Sequence, residues 1–448
     1  AASLERAFAG GAPAKVDRMA DRPFRKDPNN INSLSCYIAT LAIHEFFWTD
    51  FGGVRGVSLP AAREQKPWVN LCDSFLDLQC LYGINQEASR NIRSFRDGKL
   101  KDDEFADPRM ARINGVSAIL ILFNREHNLV CDNLMERYPE QYPPSAQEGD
   151  ARDESLFQQA RLINQQVFIS VVQWDYLGLV LGHQSFQEAR TSARPHQVEV
   201  PMHASVEFNL MYRFHQTIPE KYNPVDEFKS PIDVDKDLLK ALMTPSGAFT
   251  PHNIAPWMRD AEAKAIEWSR DRGAPLFNDM REKLGLGRLK SFDDLQSPPE
   301  TRQALMQFYD CIDDVELYIG CMIEEWPNLF DPTSAGYQGW GIPPTLLKAI
   351  MNDAVSSLIY DRFHTRDFTE ENLTPWGYAR SMHNSQLMRL VSDHAGLGDV
   401  RHLYAFDVVK EEGIPKDHRL AEVLRALKRG RGSQTLDFYG GERAGGPS

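Results

Sequence analysis

Apolar residues recur at helical spacing along most of this 448-residue chain, and no alternation of apolar and polar residues is long enough for a substantial sheet. The pattern is clearest at residues 116–135 and at 154–181, where Gly182 marks a stop. Further segments with helical periodicity are 35–49, 205–216, 261–268, 299–322, 343–363 and 386–392. Because no internal repeat divides the chain, the pattern predicts one large, all-α (mainly helical) domain.

We expect three regions along the chain. Residues 1–34 combine several prolines with mixed charge, which predicts an irregular arm laid over the surface. Residues 35–429 form the predicted domain. Residues 430–448 are rich in Gly, Arg and Ser, which predicts a loose C-terminal tail.

Composition excludes several classes of protein. The longest apolar stretch, residues 116–123, is too short to cross a bilayer, so no transmembrane segment is predicted. Residues 1–18 lack the apolar core of a secretory signal, which favours the cytoplasm. The formal net charge of −13 with no basic tract argues against nucleic acid as a partner. The six cysteines form no CxxC pair, which predicts reduced thiols in the core.

Tyr212 and His215 stand three residues apart in a segment with helical periodicity. At that spacing two side chains share one face of a helix, with Cβ atoms about 5–6 Å apart. A buried imidazole there could ligate a haem iron, and the tyrosine could be oxidised to a radical by that haem. His44, in another helical segment, is a candidate for handling peroxide opposite the iron. The ordinary alternative is that all three are core residues.

Several short motifs carry a wider resemblance. They stand at residues 44–49, 95–101, 123–128, 269–278, 317–320 and 361–363. In this order they resemble landmarks of the animal-type haem peroxidase superfamily, which includes myeloperoxidase, the cyclooxygenases, plant α-dioxygenases and fungal linoleate diol synthases. The resemblance spans roughly residues 35–375. It implies the haem peroxidase fold, with haem between a distal and a proximal histidine helix.

The branch of the superfamily follows from Tyr212 and from residues 372–377, which resemble the dioxygenase domain of fungal linoleate diol synthases and bacterial relatives. The resemblance implies a fatty-acid dioxygenase that a hydroperoxide activates. Its Tyr212 radical would remove hydrogen from an unsaturated, linoleate-like C18 fatty acid, and O2 would add to give a hydroperoxide. The fungal enzymes carry a second haem domain with a thiolate ligand, for which this chain is too short, so a stand-alone dioxygenase is expected.

The resemblance also assigns roles to single residues. His215 would be the proximal iron ligand, and Asn278 would accept the N–H of its imidazole. His44 would be the distal acid and base. Thr40 lies in the distal pocket where cyclooxygenases have glutamine, which implies weak peroxidase turnover. Phe214 replaces a tryptophan of cyclooxygenase and would form part of the channel wall.

Two arginines bear on the haem. Arg112 falls near the acidic residue that bonds covalently to haem in myeloperoxidase. Because an arginine cannot form an ester there, a non-covalent haem b is expected. Arg109 coincides with the distal arginine of the halide-oxidising members.

A calcium site is a further expectation from the resemblance. The corresponding residues are Glu45, Asp73, Phe75 through its carbonyl, Asp77 and Gln79. Carboxylates and other oxygen donors suit a hard cation. The alternative is that Asp73 and Asp77 cap the local turn.

Other functions stay open. An α-dioxygenase of the same fold is compatible with Tyr212 and His215, and so is a plain peroxidase that oxidises small reductants. A haem carrier or sensor would need neither Tyr212 nor His44. The sequence does not show how a fatty-acid carboxylate would be held, which carbon is oxygenated or what oligomer forms.

Overall fold

The computed structural model describes residues 11–20, 23–50, 66–73, 75–144, 149–181, 204–222, 230–327, 339–382 and 386–430. Eighteen α-helices run through these ranges: α1 Ala12–Ala20, α2 Leu34–Phe46, α3 Gln79–Tyr82, α4 Gln86–Ile92, α5 Asn114–Arg137, α6 Ala151–Ser170, α7 Leu177–Leu181, α8 Val206–Met211, α9 Val234–Met243, α10 Arg259–Asp271, α11 Phe277–Lys283, α12 Pro299–Leu305, α13 Leu317–Ile323, α14 Pro344–Tyr360, α15 Arg362–Thr365, α16 Glu370–Ser381, α17 Gln386–His394 and α18 Arg419–Gly430. The described residues form one sheet, in which β1 (Thr49–Asp50) pairs antiparallel with β2 (Lys66–Asn70). The mainly helical prediction is confirmed.

The centre of the fold is α5, which packs against α6, α9 and α2. Residues 116–123 within it are all buried, and all but Ser117 are apolar, as expected for a helix surrounded by others. Asp150 caps α6 by accepting a hydrogen bond from the backbone N–H of Asp153. The periodicity at 116–135 and 35–49 therefore predicted real helices, α5 and α2, although α2 ends earlier, at Phe46.

A π-helical segment, Val171–Tyr176, joins α6 to α7. The sequence predicted one continuous helix over 154–181, without this irregularity. Single π-turns inside helices are uncommon and often occur at functional sites. This one ends at Tyr176, a buried tyrosine that reaches the candidate site described below.

Two of the predicted helices are interrupted. Residues 205–216 do not form one helix, because α8 ends at Met211 and Tyr212 has a non-helical ψ of 71°. Residues 299–322 are divided into α12 and α13 by a short 3₁₀ turn, Ile312–Asp314.

The prediction of an irregular arm for residues 1–34 is wrong for residues 12–20. Residues 12–20 form α1, which packs against α10. Lys15 of α1 is buried and pairs with Glu316 at 2.8 Å. Because both side chains of the pair are buried, α1 is packed into the domain and is not an arm laid over its surface. Residues 1–10 and the predicted tail at 431–448 lie outside the described residues.

No helix among the described residues is both long and apolar enough to span a membrane. All six cysteines are free thiols, and five of them are buried, with Cys311 exposed. This agrees with the predicted absence of disulfides.

Candidate active site

A cavity of about 670 Å³ opens between α2 and the segment that follows α8. Both histidines singled out from the sequence, His44 and His215, line it, together with Tyr212. Thr40 and Phe214 line it as well. The structure thus brings five of the predicted site residues to one cavity, although they lie as much as 175 positions apart in the chain.

His44 is held by its own helix. Its Nδ1–H donates to the backbone carbonyl of Thr40, one turn earlier, at 2.7 Å. Burial and, as a smaller cause, the positive charge of Arg109 lower the pKa of His44 to about 4. At neutral pH the ring is therefore uncharged, and its Nε2 is a proton acceptor.

Arg109 ties the end of α2 to the loop before α5. Its guanidinium donates to both carboxylate oxygens of Asp107, to the Phe47 carbonyl at 2.7 Å and to the His44 carbonyl at 3.2 Å. It also stacks on the Trp48 ring, 4.0 Å from the centroid. These contacts fix its charge beside His44 and the cavity.

Tyr212 is surrounded by aromatic rings and is only 1% exposed. Its ring stacks on Phe208, with centroids 4.7 Å apart, and meets Phe214 edge-on at 5.0 Å. Its hydroxyl oxygen lies 2.7 Å from that of Tyr176. Burial raises the pKa of both tyrosines, so both keep their phenolic hydrogen at neutral pH.

His215 begins a short 3₁₀ turn, His215–Thr217, instead of sitting one helical turn after Tyr212. The expectation that the two side chains share one helix face is therefore wrong. They reach the same cavity because the backbone changes direction at Tyr212, whose aromatic contacts hold it there.

The prediction that Asn278 accepts the imidazole N–H of His215 is also wrong. The Asn278 amide donates to the Leu289 carbonyl at 2.9 Å and to the Asp313 carboxylate at 2.6 Å, and its oxygen accepts from the Leu289 N–H. The Nδ1–H of His215 instead donates to a carboxylate oxygen of Glu262.

Sequence reasoning missed Glu262, Tyr318 and Tyr176 as neighbours of the cavity residues. For Glu262 a signal exists: within α10 it shares one face with Ala265 and Ile266, so it is an acidic residue on an apolar, buried face. Such a carboxylate needs a partner, which predicts a polar contact without identifying it. For Tyr176 no comparable signal exists in the sequence.

Only some of the residues expected to bind calcium contact one another, and several of their oxygens are bound to other groups. Both carboxylate oxygens of Glu45 accept backbone N–H groups, from Gln79 and from Cys80. Asp77 pairs with Arg161 at 2.7 Å, and Asp73 accepts from the N–H of Phe75. Within the described residues no group of three or more acidic, His or Cys side chains has an arrangement suited to a metal ion.

His127 lies in the motif at 123–128, and its contacts are those of a residue that stabilises the fold. It is buried, and its ring nitrogens contact the Tyr82 hydroxyl and the Gly98 carbonyl, each at 2.9 Å. The adjacent Glu126 is also buried and accepts hydrogen bonds from two guanidinium nitrogens of Arg380, at 2.8 and 2.7 Å. These contacts join α5 to surrounding segments and lie apart from the cavity.

The cavity suits a haem. Its lining offers imidazoles that can ligate iron, apolar side chains that can cover a macrocycle, and Arg112 and Arg213, whose charges complement propionates. No Asp or Glu is among the described residues that line it, so they offer no carboxylate for an ester to haem. A helical fold that brings two histidines, a distal-side arginine and a buried tyrosine to one largely apolar cavity fits the class of the haem peroxidases.

Comparison with known proteins identifies the family. The sequence profile of the animal haem peroxidases matches residues 102–263 and 246–403, and the chain belongs to this family. A bifunctional dioxygenase–epoxy alcohol synthase of Pyricularia oryzae is 32% identical over 79% of the chain and 36% of its own length. The linoleate diol synthase of Gaeumannomyces graminis is 32% identical over 79% of the chain and 35% of its own length.

The chain thus spans about a third of the length of these curated relatives. Among solved structures, a fatty acid α-dioxygenase of Arabidopsis thaliana superposes with a TM-score of 0.70 at 19% identity. The superposition covers 90% of this chain and 79% of that one. It shows that the two share a fold.

Proposed function

We propose that this protein is a haem-dependent fatty-acid dioxygenase that uses a radical on Tyr212. The observation that carries the proposal is the position of Tyr212, a buried phenol at the wall of the cavity that His44 and His215 also line. The curated relatives named for dioxygenase and linoleate diol synthase activity support the same chemistry. The proposed substrate is an unsaturated C18 fatty acid, with O2 as the second substrate and a hydroperoxide as activator.

The proposed cofactor is a non-covalent haem b, with His215 as the iron ligand. When bound, the haem supplies a peroxide-driven one-electron oxidation. His44 accepts the proton of the peroxide on its free Nε2 and returns it to the departing oxygen. The Thr40 carbonyl keeps the other ring nitrogen protonated, so that the ring has one acceptor and its orientation is fixed.

Tyr212 then carries the reaction with the substrate. Its oxygen radical takes a hydrogen atom from an activated methylene, which leaves a carbon radical. O2 adds to that carbon, and the resulting peroxyl radical takes the hydrogen atom back from the Tyr212 hydroxyl, giving the hydroperoxide and restoring the tyrosyl radical. Phe208 and Phe214, packed against the ring, keep water from the phenolic oxygen and fix the ring's position.

The proposal is tested by oxygen uptake with linoleic acid, with products resolved by mass spectrometry, for the haem-loaded wild type and Tyr212→Phe. The wild type should consume O2 and give one hydroperoxide, and the variant should lose uptake while it still oxidises dyes with peroxide. A variant with full uptake contradicts the radical role of Tyr212.

Two alternatives give other products. An α-dioxygenase would oxygenate next to the carboxylate and yield a product shortened by one carbon, which mass spectrometry distinguishes from an internal hydroperoxide. A plain peroxidase would take up no O2 with linoleate in either protein. The fold that this chain shares with the α-dioxygenase is compatible with internal oxygenation and with oxygenation next to the carboxylate, and it favours neither.

Calcium stays a prediction of the sequence. In its favour, burial and the neighbouring charge of Asp77 raise the pKa of Asp73 to about 6, and one carboxylate oxygen of Asp77 is buried without a hydrogen-bond partner. A divalent cation would relieve both costs. Added calcium should then raise the melting temperature of the wild type but not of Asp77→Asn, and equal melting curves would rule this site out.

A further inference from the structure

A chain of two hydrogen bonds leads from His215 into the protein on the side of α10. Glu262 of α10 is completely buried, and one of its oxygens accepts the Nδ1–H of His215. Its other oxygen accepts the hydroxyl of Tyr318, which comes from α13 and is also buried. Both oxygens of one carboxylate are therefore engaged, one by the histidine and one by a phenol.

We infer that Glu262 is a positioning residue that sets the electron donation of His215 to iron, and that Tyr318 moderates it. This inference rests on the proposed function, in which His215 ligates the haem iron. The geometry assigns the role to Glu262 and withdraws it from Asn278, whose amide is bonded to Leu289 and Asp313.

The choice of a carboxylate over an amide has a physical consequence. Hydrogen bonds to a charged acceptor are roughly twice as strong as those between neutral groups. A stronger acceptor at Nδ1–H makes the imidazole more basic and fixes which ring nitrogen is free for the metal. Because Glu262 is buried, water does not compete for its oxygens. The result is a more electron-rich ligand, which stabilises ferric over ferrous iron.

Tyr318 acts in the opposite direction. Its hydroxyl takes up part of the negative charge of Glu262 and so weakens the bond from the carboxylate to His215. It also holds the carboxylate in place, because both partners of Glu262 come from segments other than its own helix. Removing the hydroxyl should strengthen the acceptor, whereas removing the charge of Glu262 should weaken it.

The experiment compares three variants with haem bound: Glu262→Gln, Tyr318→Phe and, as a matched control, Glu267→Gln. Glu267 is exposed on the same helix, so its change removes the same charge away from the cavity. The readouts are the iron–histidine stretching frequency in resonance Raman spectra of the ferrous protein and the ferric/ferrous midpoint potential. Neither depends on turnover of a fatty acid.

We expect Glu262→Gln to lower the stretching frequency and raise the potential, and Tyr318→Phe to shift both in the opposite directions. Glu267→Gln should match the wild type. A purely structural role would move the two variants in the same direction or leave the spectra unchanged, and either result overturns the inference. Should Glu262→Gln fail to fold, the sign of the Tyr318→Phe shift decides alone.

The wild-type spectrum separates this inference from the proposed function. An iron–histidine band that His215→Ala abolishes, with no shift in Glu262→Gln and Tyr318→Phe, leaves the proposed dioxygenase intact and refutes the role of Glu262. A wild type with no histidine-ligated haem removes the basis of both.

Discussion

The hydroxyl oxygens of Tyr176 and Tyr212 lie 2.7 Å apart inside the protein, and each ring is almost fully buried. Tyr176 stands at the end of the π-helical segment Val171–Tyr176, which breaks an otherwise regular helix. The irregular segment therefore delivers a hydrogen-bond partner to the residue proposed to carry the radical. A hydrogen bond between two phenols fixes the direction of the Tyr212 hydroxyl without removing its hydrogen.

Tyr176→Phe should slow the reaction without abolishing it. Loss of a neutral hydrogen bond costs about 0.5–1.5 kcal/mol, which corresponds to at most about a tenfold fall in kcat. KM should stay the same, and the electron paramagnetic resonance spectrum of the Tyr212 radical should change, because its oxygen loses a donor. Tyr82→Phe is the control, since Tyr82 is equally buried but bonds to His127 and Asn164 away from the cavity. Equal loss of kcat in both variants would contradict the role of Tyr176.

His44→Ala should reduce the rate of peroxide activation by a factor of about 10² to 10⁴, because general acid–base catalysis contributes that much. Stopped-flow absorption of the haem with peroxide measures this rate. In the wild type, the rate should fall as the pH drops through about 4, since burial and the charge of Arg109 lower the pKa of His44 to that value and the protonated ring accepts no proton. His402→Ala, at an exposed histidine, should behave as wild type. An unchanged rate in His44→Ala would refute the distal role.

Arg109→Gln should shift the pH profile of peroxide activation to higher pH. After burial, the charge of Arg109 is the largest cause of the lowered pKa of His44, so its removal lets the ring protonate at higher pH. The acid limb of the rate of peroxide activation should then lie above pH 4. Arg96→Gln removes an exposed arginine outside the cavity and should leave the limb in place. A profile that does not move would show that the charge of Arg109 is screened from His44.

The sequence predicted the helical class and singled out two histidines that line one cavity, because both features depend on local patterns. The periodicity of α5 and α2 is visible in a short window, and His44 and His215 stand in recognisable motifs. These features need no knowledge of which segments meet in space.

The hydrogen-bond partner of His215 could not be predicted in the same way. Glu262 meets His215 across 47 positions, and the contact depends on how α10 packs beside the turn at His215–Thr217. The end of α8 at Met211 has no glycine or proline to announce it, since residues 205–216 contain neither. There the packing of aromatic rings around Tyr212 overrides helical propensity.

Glu126→Gln tests a stabilising network outside the cavity. Glu126 of α5 is fully buried and accepts hydrogen bonds from Arg380, Arg389 and His394. Burial alone would raise its pKa, but the bond from Arg380 and its other basic partners hold the pKa well below the ordinary 4.5. Replacing the carboxylate leaves Asp393 as the remaining acidic partner of Arg380 and Arg389, so the free energy of unfolding should fall by about 3 kcal/mol, the lower end of the cost of breaking a buried ion pair.

The lowered pKa of Glu126 also determines how the stability of the fold changes with pH. Because the folded protein binds the Glu126 proton less readily than the unfolded chain, this contribution is complete above pH 4.5 and is lost as the pH falls below that value. Urea unfolding followed by circular dichroism at pH 7 and pH 3 measures both effects, and Glu126→Gln should lose less stability on acidification than the wild type. Glu136→Gln, at an exposed position of the same helix, should stay within about 0.5 kcal/mol of wild type at pH 7. If the two variants were equally stable, Asp393 and solvent would compensate the arginines without Glu126.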